Sequence, residues 1–151
     1  MKRILVALDD TEASQRVAHF VNDFFPRVAY EVIGLNVSPA PVPWIPPVGY
    51  GEVYAFPVAP AGVASPDDAK EATSEAEEHA VQTVEEAGLD ADEQYAAVGE
   101  VVGEITRAAV DHDVDLIVVG SHDKGAFKRF LVGSVSTTLV HEAPRPVLVV
   151  R

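Results

Sequence analysis

Residues 3–14 read RILVALDDTEAS. After Arg3 the run to Leu8 is continuously apolar, with no alternation of polar and apolar positions. A strand that faces water on one side alternates. A strand buried on both faces does not, and such strands belong to parallel sheets covered by helices on both sides. Asp9 and Asp10 close the run. A helix is expected from Thr11 to Phe24, where Ala13, Val17, Phe20, Val21 and Phe24 recur at helical spacing. Asp10 or Thr11 is expected to cap its start, and Pro26 marks its end.

The same reading extends along the chain. Residues 28–37 (VAYEVIGLNV) form a second strand, and residues 93–99 (EQYAAVG) a weaker third. Residues 115–120 (DLIVVG) form a fourth, as apolar as the first, and residues 145–150 (RPVLVV) a fifth. Helices are expected at 67–87, where Gly88 is a C-terminal stop, at 100–112 with Val101, Ile105, Ala108 and Ala109 inward, and at 134–142 with Val135 and Leu139 inward. Alternation of strand and helix at these lengths implies right-handed crossovers. The fold class is therefore α/β, a doubly wound, five-stranded parallel sheet with helices on both faces. Ligands of such sheets bind beyond the carboxyl ends of the strands, where the strand order reverses. Here that is the junction of the first and fourth strands, whose ends carry Asp9 and Gly120.

The 151 residues suit a single domain, 1–151, with an insertion at 38–66. That insertion holds eight of the eleven prolines together with Trp44, Tyr50, Tyr54 and Phe56, and reads as a long loop. The formal charge is −13, and residues 67–104 carry thirteen acids against one base, Lys70. Such a surface disfavours nucleic acid and anionic membrane as partners. It also suits a protein kept soluble in high salt. The start MKRILVALDD imitates a signal peptide, but its apolar stretch is too short, and no run reaches the length of a bilayer span. A cytoplasmic location is expected. Without cysteine there is neither a disulfide framework nor a thiolate metal site. The five histidines are scattered, with no helical metal-binding pair, and only His122 falls in the expected crevice.

Residues 120–136 read GSHDKGAFKRFLVGSVS. Glycine permits close backbone approach to a ligand, and successive amides in such a turn make an anion nest. Gly133 and Ser134 precede the last helix, whose N-terminus offers free N–H groups and partial positive charge. The Ser134 hydroxyl either caps that helix or bonds a phosphate. The segment is not a Walker A loop, since Ala126 and Phe127 stand where Lys and Ser/Thr belong. Nor does a G-x-G-x-x-G pattern follow the first strand.

Three blocks, RILVALDDTEAS at 3–14, DLIVVGSH at 115–122 and FLVGSVSTTLVHEAPRPVLVV at 130–150, resemble the universal stress protein family over the whole chain. Nucleotide-binding members show G-x2-G-x9-G-[S/T], which falls on Gly120, Asp123, Gly133 and Ser134. The resemblance implies binding of ATP or another adenine nucleotide, with Mg²⁺ as companion, and a role as stress sensor or regulator. The nucleotide-contacting set it implies is Asp9, Val37, Gly120, Ser121, His122, Asp123, Gly133, Ser134, Val135 and Ser136, with Asp9 near the ribose or metal and the Val37 backbone near adenine. It further implies a homodimer through Pro146–Val150, with an unidentified protein partner. Two alternatives stand beside this reading: a nucleotide-free dimeric adaptor, and a slow ATPase or phosphotransferase.

Asp123 is where this chain departs from the pattern, which has glycine there. A carboxylate about 4 Å from a phosphate costs about 4 kcal/mol per charge pair at an effective dielectric near 20. Mg²⁺ between them offsets this; so does pairing with Lys124, Lys128 or Arg129, or rotation of the side chain to solvent. Replacement Asp123→Gly is expected to tighten AMP binding by about tenfold or more in Mg²⁺-free calorimetric titrations. An unchanged affinity would mean that the carboxylate does not face the phosphate.

Overall fold

The computed structural model describes residues 1–38, 78–79, 81–121 and 134–151. In chain order the elements are β1 (Lys2–Leu8), α1 (Glu12–Phe24), β2 (Tyr30–Ser38), α2 (helical at 78–79 and 81–87), β3 (Glu93–Val98), α3 (Val101–Asp111), β4 (Leu116–Gly120), α4 (Ser134–Glu142) and β5 (Val147–Val150). The strands form one sheet in the order β3-β2-β1-β4-β5, and every pairing is parallel. The insertion beyond Ser38, and the part of the 67–87 helix before residue 78, lie outside the described residues.

The continuous apolar runs have the expected consequence. Alternate residues of β1 point to opposite layers. Ile4, Val6 and Leu8 join Val17, Ala18 and Val21 of α1 and Val84 and Ala87 of α2. Leu5 instead joins Ile33, Leu35, Ile117 and Val119 under Ile105 and Ala109 of α3 and Leu139 of α4. Helices thus cover both faces, two on each. Buried aliphatic side chains contribute about 1.5–3 kcal/mol each, so the central strands dominate the stabilisation.

Gly34 sits in β2 against α2. A Cβ there would lie 3.1 Å from both γ-carbons of Val84 and 3.4 Å from Leu89. Glycine here sets how closely α2 rests on the sheet. α2 then ends at Gly88, whose φ of +74° turns the chain so that the Leu89 N–H reaches the Val84 carbonyl at 3.3 Å. α3 begins with Glu100, whose carboxylate accepts from the N–H groups of Val102 (3.1 Å) and Gly103 (2.6 Å).

Four expectations need correction. β2 begins at Tyr30, not residue 28, because the Pro26 carbonyl accepts from the Ala29 and Tyr30 N–H groups and holds a turn. β5 begins at Val147, not residue 145. Pro146 has no N–H to give, and its carbonyl accepts from Ile117 at the edge of the ladder. Phe24 is 68% exposed rather than inward. The helix ends there, and the extended Phe25 turns in instead, edge-on to Phe20 and Tyr30, while Phe24 stacks on Phe20 with centroids 4.5 Å apart. Asp10 does not cap α1; its side chain turns to α2, as described below.

Replacement Gly34→Val puts branched carbon where Val84 already stands. It is expected to lower stability by about 1–3 kcal/mol, read from the urea unfolding midpoint, with no change in far-ultraviolet circular dichroism.

Candidate functional site

The strand order reverses between β1 and β4. From β1 the chain steps outward to β2 and β3, then crosses to β4 on the other side. In sheets of this order the ligand crevice is expected beyond the carboxyl ends of β1 and β4. Asp9 follows β1, and Ser121 follows β4. Val37 lies at the end of neighbouring β2, paired with Ala97 of β3. Ser134 is the first residue of α4 and is exposed. His122, Asp123 and Gly133, with Lys124, Lys128 and Arg129, lie outside the described residues.

Asp9 is held by the first turn of α1. One carboxylate oxygen, Oδ1, accepts from the Thr11 N–H at 3.1 Å, from the Ser14 hydroxyl at 2.9 Å and from the Thr11 hydroxyl. The Ser14 hydroxyl in turn accepts the Asp9 N–H at 2.8 Å. Thr11 occupies the N-cap position, but its side chain makes no capping bond to α1. Asp9 thus orders the turn, and its acidic charge lies at the positive end of the helix. Oδ1 is thus triply bonded, and Oδ2 has no hydrogen-bond partner among the described residues.

Asn36 underlies the same turn. Its amide group donates to the Leu8 carbonyl at 3.1 Å, which fixes the side-chain orientation. That leaves Oδ1 buried without a hydrogen-bond partner, in a residue only 4% exposed. A buried acceptor without a partner costs about 1–3 kcal/mol, and such a group is ordinarily met by an ordered water, an ion or a bound molecule.

Gly120 has a packing role of its own. A Cβ there would meet the Ala13 Cβ at 3.2 Å and the Val17 Cγ2 at 3.3 Å, so glycine lets α1 close over the end of β4. Ser121 is already partly committed, because its N–H donates to the Val150 carbonyl at 2.8 Å and extends the β4–β5 ladder. Val135 is half-buried against the α3–α4 layer. Ser136 is 2% exposed and faces inward from the first turn of α4. At that N-terminus Ser134 and Thr137 are exposed, and the Ser134 carbonyl accepts from the Thr138 side chain at 2.9 Å.

Three residues around this site escaped the sequence reading. Ser14 was legible as a polar residue on the apolar face of α1, three before Val17. Asn36 was legible as a lone polar residue in an apolar strand. Thr83 was not, because its partner Asp10 is 73 residues away. Among the described residues no group of three or more acidic or histidine side chains is placed to hold a metal ion. Among the described residues the α4 N-terminus, with its exposed Ser134, offers donors of the kind a phosphate takes, whereas the Asp9 carboxylate offers an acceptor of the kind a hydroxyl or a cation takes.

The sequence model of the universal stress protein family matches residues 1–151. The chain belongs to the universal stress protein family. Among curated family members, it is 44% identical over 48 residues to one from Methanocaldococcus jannaschii, covering 32% of this chain and 30% of that protein. It is 30% identical over 119 residues to one from Mycobacterium bovis, covering 77% of this chain and 36% of that protein. The alignments thus span about a third of these relatives' own lengths. The solved structure of the hypothetical protein MJ0577 superposes with a TM-score of 0.64 at 27% identity, covering 99% of this chain and 94% of that one. Family structures described as complexes with cAMP, with dAMP (Archaeoglobus fulgidus) and with AMP (Arabidopsis thaliana) share the fold, with TM-scores of 0.59, 0.54 and 0.55 at 19%, 22% and 18% identity. They cover 99%, 100% and 99% of this chain, and 96%, 98% and 91% of their own.

Removing the Ser14 hydroxyl leaves the Asp9 N–H without its acceptor and Oδ1 short of a donor. Replacement Ser14→Ala is expected to cost about 1–3 kcal/mol in urea unfolding and to speed hydrogen exchange of the amides of residues 9–14.

Proposed function

We propose that this universal stress protein binds an adenine nucleotide in the crevice beyond β1 and β4. The observation that carries the reading is the reversal of strand order at β1 and β4, with Asp9, Val37, Ser121 and the α4 N-terminus all at that end of the sheet. The family membership and the nucleotides named for its fold neighbours support the same ligand class.

In this reading the phosphate lies at the N-terminus of α4. There the Ser134 hydroxyl and the N-terminal end of α4 offer donors, with the helix dipole behind them. Oδ2 of Asp9 accepts from a ribose hydroxyl, or shares Mg²⁺ with the phosphates of ADP or ATP. Adenine lies against the strand-end backbone at Val37. Mg²⁺, when bound, supplies charge that offsets repulsion between phosphate and Asp9 or Asp123. The nucleotide acts as a signal: occupancy orders the crevice and biases the surface offered to a partner in the stress response. The same proposal includes a cytoplasmic location and a homodimer through the free edge of β5. That edge presents Val147–Val150, all half-buried within one chain, and an apolar edge strand is stabilised by pairing.

The adaptor reading draws on two observations: the Ser121 N–H is consumed by β5, and Asp123 stands where the family pattern has glycine. Calorimetric titration with AMP, ADP and ATP, with and without Mg²⁺, separates the two. Saturable heat with one nucleotide per chain is expected, and its absence with all three nucleotides would leave the adaptor. In sedimentation equilibrium a dimer of the 16.1 kDa chain is expected, and a charge introduced by Val149→Asp is expected to yield monomer.

A further inference from the structure

The turn that carries Asp9 is held on one side by α1 and on the other by α2. The second attachment is made by Asp10. Its Oδ1 accepts from the Thr83 hydroxyl at 2.9 Å, and its Oδ2 lies 3.3 Å from Nε2 of His79. Thr83 is 4% exposed, whereas the Asp10 and His79 side chains are 67% and 48% exposed.

The two contacts differ in strength. An ion pair this open to water is screened and contributes little. The Thr83 hydroxyl is shut off from solvent, so its bond to the Asp10 carboxylate does not compete with water. That hydroxyl has one hydrogen and two acceptors at 2.9 Å, the Asp10 carboxylate and the His79 carbonyl. The carbonyl also stands four residues back along α2, where a helical N–H uses it. The carboxylate is charged and is the stronger acceptor. The hydrogen therefore goes to Asp10, and the turn is fastened to α2 chiefly through Thr83.

Asp9 and Asp10 are consecutive, and their side chains are tied in different directions. Asp9 Oδ1 is tied down to α1 by Thr11 and Ser14, and Asp10 is tied across to α2. Below them, Asn36 holds the Leu8 carbonyl. A rotation of the turn that moved the Asp9 carboxylate would have to break the Asp10–Thr83 bond. We infer that Asp10 and Thr83 are positioning residues for the nucleotide site, clamping the β1–α1 turn to α2 so that Asp9 Oδ2 keeps its direction toward the ligand. The inference rests on the nucleotide reading above, and it assigns Thr83 a part in ligand affinity without contact to the ligand.

The test is a set of AMP titrations paired with thermal unfolding of the same full-length variants. Thr83→Val removes the hydroxyl at nearly constant volume and is expected to weaken AMP binding about three- to tenfold. Asp10→Ala, at an exposed position, is expected to do the same. Thr83→Ser is expected to restore affinity, and His79→Ala to change it by less than about twofold. In an Asp9→Ala background, Thr83→Val is expected to leave AMP affinity where Asp9→Ala alone puts it, while still lowering the melting temperature. A purely structural role would lower the melting temperature and leave AMP affinity alone, and that result would overturn the clamp. Full additivity with Asp9→Ala would overturn it as well. Absence of AMP binding by the unmodified protein would remove the nucleotide reading and the clamp's role together. Binding that Thr83→Val leaves intact would remove the clamp alone.

Discussion

β1 is bonded to a parallel strand on each side and covered by helices on both faces, and the other elements take their positions from that burial. Ile4, Leu5 and Val6 are at most 1% exposed. At about 1.5–3 kcal/mol for each such side chain, three consecutive residues contribute as much as the whole net stability of a typical domain. The chain has no cheaper place for this segment than the centre of the sheet. With β1 in the centre, β2 and β3 build outward on one side and β4 and β5 on the other. The crevice at the carboxyl ends follows from that division, before any side chain in it is considered.

The chemistry of the crevice is set by how two neighbouring aspartates divide the work. The capping argument offered Asp10 or Thr11, and neither side chain caps α1. Asp9 instead orders the turn, with Thr11 and Ser14 donating to it. The reason lies in the saturation of donors. The Thr11 N–H and the Ser14 hydroxyl both reach Asp9, which leaves Asp10 to accept from the buried hydroxyl of Thr83. One carboxylate then orders the turn internally, while its neighbour anchors the turn externally.

Charge outside the crevice is spent on local ties. Arg3 grips Glu31 through Nε at 2.8 Å and Nη2 at 3.2 Å, and that contact raises the guanidinium pKa further above its ordinary value. Arg27 reaches Asp90 and Asp92 at the start of β3, and Arg145 reaches Asp113 at 2.6 Å beyond the end of α3. These bonds join turns to strand ends at the surface, where ion pairs contribute roughly 0–1 kcal/mol each. They refine where connections lie without deciding the fold. The excess of acid over base in this chain therefore bears on solubility and on the choice of partner.

The order of elements and the parallel sheet were legible in the sequence because they depend on pattern. Unbroken apolar runs mark strands buried on both faces, and helical spacing marks what covers them. Gly88 was readable as a stop because only a residue at ease with positive φ suits that position. The identity of the cap was not readable, nor the inward turn of Phe25 in place of Phe24, nor the closeness of Gly120 to Ala13 and Val17. Each depends on which of several nearby groups reaches a partner first, and the partner belongs to another element. The sequence by itself determined that Asp9 and Asp10 would stand at the mouth of a central parallel strand. Only the tertiary structure decided which carboxylate bonds within its own turn and which reaches across to α2, because Thr83 comes within reach of Asp10 only after α2 has packed on the sheet.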